Sequence, residues 1–66
     1  MELVVNGETR EVADAVTIAQ LLAELKLPER QVAVEVNGQV VPRREHAARQ
    51  LAPGDRLEIV TLVGGG

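Results

Sequence analysis

The chain has 66 residues, too few to enclose a large active site, and at this size only about 60% of the unfolded surface is buried on folding. Seven basic residues against ten acidic give a net charge of −3, and Phe, Tyr, Trp and Cys are all absent. That composition argues against nucleic acid, which calls for a clustered basic face or aromatic stacking platforms. It also excludes disulfides, thiolate metal sites and cysteine nucleophiles. With no apolar run near the ~18 residues of a membrane span and no basic, apolar leader, the expectation is a cytoplasmic protein with no membrane partner.

Met1-Glu2-Leu3-Val4-Val5 alternates as a strand, with Met1, Leu3 and Val5 on one face. Asn6-Gly7 suits a two-residue type I′ turn, and Glu8 to Val12 then forms a second, more polar strand. Thr17-Ile18-Ala19-Gln20 has the form of a capping box. Ile18, Leu21, Leu22 and Leu25 follow at i, i+3, i+4 and i+7, one apolar face of a helix that Leu27-Pro28 ends.

Val32, Val34 and Val36 alternate with Ala33 and Glu35 in a third strand. Asn37-Gly38 turns into a short strand at Gln39 to Val41, which Pro42 stops because proline has no N–H for a ladder. Arg43 to Gln50 is polar, with room for one or two helical turns, and its single His46 reads as a solvated loop residue. With no second His and no Cys, no metal site is expected. Pro53-Gly54-Asp55 is a turn into a last strand, Leu57 to Val63.

Two hairpins flanking one helix suggest an α+β roll: a mixed sheet of four to five strands packed on the helix. The first and last strands both carry apolar alternation, which puts them side by side and parallel at the sheet centre with the helix in the crossover, the β-grasp arrangement. The expected core is Leu3, Val5, Ile18, Leu21, Leu22, Leu25, Val34, Leu57 and Ile59. The expected domain spans residues 1–63, with Gly64, Gly65 and Gly66 expected as a flexible tail.

Glycine gives the slimmest backbone, so this tail suits a narrow slot in another protein, with the α-carboxylate of Gly66 as the group presented. A glycine run is equally what a merely disordered end looks like. Ordering three such residues costs on the order of 3–6 kcal/mol, which contacts elsewhere must offset. Val4, Val41, Val60 and Leu62 are the candidate apolar docking patch, with Arg43 and Arg44 beside it.

The strand order, the Asn37-Gly38 turn, the Val41-Pro42-Arg43 stretch, the Gly54-Asp55 turn and the Gly65-Gly66 end together resemble the thiamin-pathway sulfur carrier proteins, which are ubiquitin-like. The resemblance covers essentially the whole chain. The chain departs from many relatives in having His46 where they carry an aromatic residue. The small subunit of molybdopterin synthase shares the fold and the diglycine end but is typically longer and contains Phe.

The resemblance implies a protein co-substrate rather than an enzyme. A ubiquitin-activating-type adenylyltransferase uses ATP to make an acyl-adenylate at Gly66. Sulfur from a persulfide enzyme then replaces AMP, and the thiocarboxylate serves thiazole synthase, with Gly64 and Gly65 threading the partner's channel. No cofactor bound by the chain itself is implied. The residues agree: a chain without cysteine can carry sulfur only at its terminus, and it has no Gly-rich loop with Lys and Ser/Thr for ATP. The alternatives are the molybdopterin carrier, with the same chemistry, and a non-covalent β-grasp interaction module whose glycines are incidental.

Overall fold

The computed structural model describes residues 1–62. Among these, β1 (Glu2–Val5), β2 (Glu8–Glu11), β3 (Val32–Val36), β4 (Gln39–Val41) and β5 (Arg56–Thr61) form one mixed sheet in the order β2-β1-β5-β3-β4. β5 is the middle strand, parallel to β1 and antiparallel to β3, and α1 (Ile18–Glu24) lies in the crossover between the halves. This is the expected α+β roll.

Both hairpins turn as their sequences predict. Asn6 and Gly7 have φ of 50° and 83°, Asn37 and Gly38 of 52° and 85°, the double positive φ of a type I′ turn. The Asn37 turn pairs Val36 with Gln39 and Val34 with Val41. β2 is one residue shorter than predicted: Val12 lies just past its end, with its amide still donating to the Met1 carbonyl at 2.8 Å and its side chain in the core.

The capping box is complete. The Gln20 amide donates to the Thr17 hydroxyl at 3.1 Å, and the Thr17 amide donates to the Gln20 side chain at 2.9 Å. The far end of α1 stops before Leu27-Pro28, and for a different reason. Lys26 takes a left-handed φ of 58°, and the Lys26 and Leu27 amides donate to the Ala23 and Leu22 carbonyls at 3.1 and 2.9 Å. These two bonds make a Schellman cap with lysine in the place glycine usually fills. A 3-10 turn, Glu29–Gln31, follows before β3 and is not evident in the sequence pattern.

Leu3, Ile18, Leu21, Leu22, Val34, Val36 and Leu57 are essentially fully buried between sheet and helix. Leu25, expected in the core, is only partly buried because it caps the helix end. Val16, Val32 and Leu51 join the core as well, Leu51 through a bond from its amide to the Val16 carbonyl.

Candidate functional site

β5 carries the chain to the tail, and both its flanks are fixed. On one side it pairs with β3 from Leu57 to Thr61, and the Leu62 amide extends this with a 2.6 Å bond to the Gln31 carbonyl. On the other side β1 is short, and its ladder registers only Val4 with Arg56 and Val5 with Leu57. The Asn6 side chain continues where β1 stops. Its Oδ1 accepts from the Ile59 amide at 2.7 Å, and its Nδ2 donates to the Ile59 carbonyl at 3.2 Å. One turn residue therefore supplies both the positive φ of its hairpin and the amide that substitutes for a strand residue beside β5.

The start of β5 has a similar clamp. Asn37 Oδ1 accepts from the Arg56 amide, and Asn37 Nδ2 donates to Asp55 Oδ1, both at 3.0 Å. Asp55 Oδ2 in turn accepts from the Ala52 amide at 2.8 Å, which closes the turn before the strand. The Asn-Gly dipeptides were readable as turns. Their second task, gripping a strand far away in sequence, has no local signal.

The expected docking residues separate. Val60 and Leu62 are 57% and 52% exposed, on the outer face near the end of β5. Ala33, directly opposite Val60, lies on the same face and is half-buried. Val41 does not belong to this surface: it is 5% exposed and faces the core. The reason is register. A two-residue turn sets Val36 against Gln39, so Val41 falls opposite inward Val34 and Val40 opposite outward Glu35. Val40, 67% exposed, is the residue the sequence reading missed, although counting outward from the turn identifies it.

Val4 is half-buried between Thr9 on β2 and Arg56 on β5. Arg56 lies four residues before Val60, about 13 Å along the strand, so Val4 stands apart from the tail-side patch. Arg43 is exposed in the 3-10 turn Arg43–Glu45, just beyond Pro42, and Arg44 is exposed beside it. Gly64, Gly65 and Gly66, and Val63 before them, lie outside the described residues.

The patch is edged by charge. Glu35 and Glu58 are directly opposite across β3 and β5, on the outer face. No cation comes within ion-pair distance of either among the described residues. Directly opposed like charges destabilise a sheet, so this row weakens the free domain while giving the outer face an acidic border.

His46 is not a solvated loop residue: it is 1% exposed. The segment after Pro42 folds back over the start of α1, where the His46 and Arg49 carbonyls each accept at 3.1 Å from the Ala19 and Ile18 amides. His46 Nε2 lies 3.0 Å from the Val41 carbonyl, and Nδ1 lies 3.3 Å from Glu29 Oε2, within ion-pair range but without hydrogen-bond alignment. The imidazole therefore joins its own segment to the end of β4, with Nδ1 facing Glu29 across the 3-10 turn. No group of three or more potential ligands that could hold a metal occurs among the described residues.

A mixed five-stranded sheet gripping one crossover helix, with its middle strand leading to a glycine run, defines a ubiquitin-like β-grasp protein. The chain superposes on the crystal structure of the thiamine biosynthesis protein ThiS of Geobacter metallireducens with a TM-score of 0.86, at 36% identity and covering 100% of both chains. It is 27% identical over 66 residues, the full length of both, to the sulfur carrier protein ThiS of Escherichia coli. It is also 46% identical over 66 residues to a thiazole synthase of Paramagnetospirillum magneticum, covering 100% of this chain and 20% of that protein. The chain thus spans a fifth of the length of that relative. A model of the ThiS family matches residues 3–66, and the chain belongs to that family.

Proposed function

We propose that this protein is the sulfur carrier of thiazole formation in thiamin biosynthesis, acting as a co-substrate rather than an enzyme. On this reading, a ubiquitin-activating-type adenylyltransferase uses ATP to activate the α-carboxylate of Gly66. A persulfide-derived sulfur then replaces AMP, and the resulting thiocarboxylate is delivered to thiazole synthase. The observation that carries the reading is the placement of β5: the strand leading to the glycines is the middle strand of the sheet, held on one flank through Leu62 and on the other by Asn6 as far as Ile59. A fixed exit aims a thin tail, and a poor electrophile becomes reactive only where the tail is placed in a partner's site.

The occurrence of a sequence like this one within a thiazole synthase, in the Paramagnetospirillum magneticum relative, supports an association with that enzyme. Val40, Val60, Leu62 and Ala33 are the surface offered to partners, with Glu35 and Glu58 at its border. An apolar patch with an acidic edge fits a partner presenting apolar and basic side chains.

The test is the intact mass of the protein after incubation with the activating enzyme, ATP and a sulfur donor. The expected product carries sulfur in place of one oxygen at Gly66, and an unchanged mass under conditions that sulfurate an authentic carrier contradicts the proposal. Gly65→Ala sharpens it. Melting should stay as in wild type, while partner-driven ATP–pyrophosphate exchange should fall sharply because a methyl group meets the channel wall. Unchanged exchange would remove the threading role from Gly65.

A further inference from the structure

Two Asn-Gly dipeptides are present, and each is chemically vulnerable for one reason. Glycine leaves its own amide nitrogen uncrowded, so that nitrogen can reach the neighbouring asparagine side-chain carbon. An added Cβ at Gly7 or at Gly38 would meet no heavy atom within 4 Å, so neither turn is crowded on the Cβ side of its glycine. Both asparagines have left-handed φ, and both side-chain amides are clamped. The dipeptide, the turn type and the space beside each glycine are therefore matched, while the clamps differ.

The Asn6 clamp is partly buried. It satisfies both backbone groups of Ile59 in the middle strand, beside a cleft lined by Val5, Thr9, Leu25 and Leu27. Releasing that amide leaves the N–H and C=O of buried Ile59 to be met only by water entering the cleft. The Asn37 clamp is exposed to solvent at both ends, on the Asp55 carboxylate and the Arg56 amide. Releasing it lets water take over each bond, so opening costs far less there than at a part-buried site.

We propose that Asn37-Gly38 is a site of spontaneous modification, at which the exposed Asn37 amide is converted to aspartate or isoaspartate while the matched Asn6-Gly7 site is held unreactive by its grip on Ile59. The Gly38 backbone nitrogen gives up its proton to water or hydroxide and attacks Asn37 Cγ. The new N–Cγ bond forms as the Cγ–Nδ2 bond breaks, and Nδ2 leaves as ammonia. Water then opens the succinimide at either carbonyl. The sum is one water consumed and one ammonia released, with no redox change. The product places a carboxylate where Nδ2 donated to Asp55 at 3.0 Å, so a hydrogen bond becomes a repulsion and the turn before β5 loses its tie to the β3–β4 hairpin.

The experiment follows both sites by peptide mapping of the wild-type protein held folded at mildly alkaline pH, with a parallel sample in denaturant. In the folded protein, Asn37 should convert at least about tenfold faster than Asn6, a ratio of the size that one or two part-buried hydrogen bonds supply. In denaturant the two rates should converge, since the dipeptides are the same. Equal folded rates, a faster Asn6, or an Asn37 that stays intact while the denatured chain converts would each overturn the proposal. Asn37→Asp should melt below wild type and match the aged protein's aspartate form; an undiminished melting temperature in both would refute the loss of the tie.

Discussion

On the inner face of the sheet, Leu3, Val34, Val36 and Leu57 are sealed against α1. On the outer face, Glu35 stands opposite Glu58, and Val40, Val60 and Leu62 remain open to solvent. The two faces share the same strands and the same ladder bonds, so the backbone cannot account for the difference. Every inner position lowers the free energy of the folded domain. The outer face gives up some of that free energy, through a like-charge pair and uncovered apolar surface, and it is the surface proposed above for partners.

The largest expected effect lies on the inner face. Leu57→Ala removes a fully buried side chain next to β1 and β3 and should cost about 2–5 kcal/mol in chemical denaturation. A loss below about 1 kcal/mol would mean that the inner face is not packed as described. Next comes the clamp on β5. Asn6→Gly keeps a residue tolerant of the left-handed φ but strips the amide from Ile59, with an expected loss of about 1–3 kcal/mol. A neutral result would show that water replaces the clamp and that the exit of β5 is held by β3 alone. The smallest effect has the opposite sign. Glu58→Gln relieves the opposed pair and should stabilise the domain by about 0.2–1 kcal/mol. It should also weaken association with a basic partner, measured by titration; destabilisation would indicate that the acidic row has a structural role in the free protein.

The fold was legible because its signals are local. The capping box at Thr17 and Gln20, the two Asn-Gly turns and the alternation in β1, β3 and β5 each act within a few residues, and the parallel pairing of β1 with β5 follows from their shared apolar pattern. What escaped depends on distant partners or on exact register. His46 looks polar in a polar stretch, yet its segment folds back to accept the first amides of α1, which buries the ring. Val41 was placed on the wrong face because β4 is only three residues long and its pattern alone cannot orient it; the turn length can. The helix is closed off by Lys26, just past its cap, through a positive φ that nothing in a lysine advertises. The tail glycines were singled out from the sequence alone, and they lie beyond the described residues.

The division of labour between the faces is tested most directly by the double variant Val60→Ser and Leu62→Ser. Both side chains are already exposed, so the denaturation free energy should stay within about 0.5 kcal/mol of wild type. ATP–pyrophosphate exchange driven by the activating enzyme, measured at limiting carrier concentration, should nevertheless fall by about tenfold, which corresponds to about 1.4 kcal/mol of lost association for the two side chains together. Exchange equal to wild type would contradict the account, because the tail would then be presented without help from the outer face of the sheet.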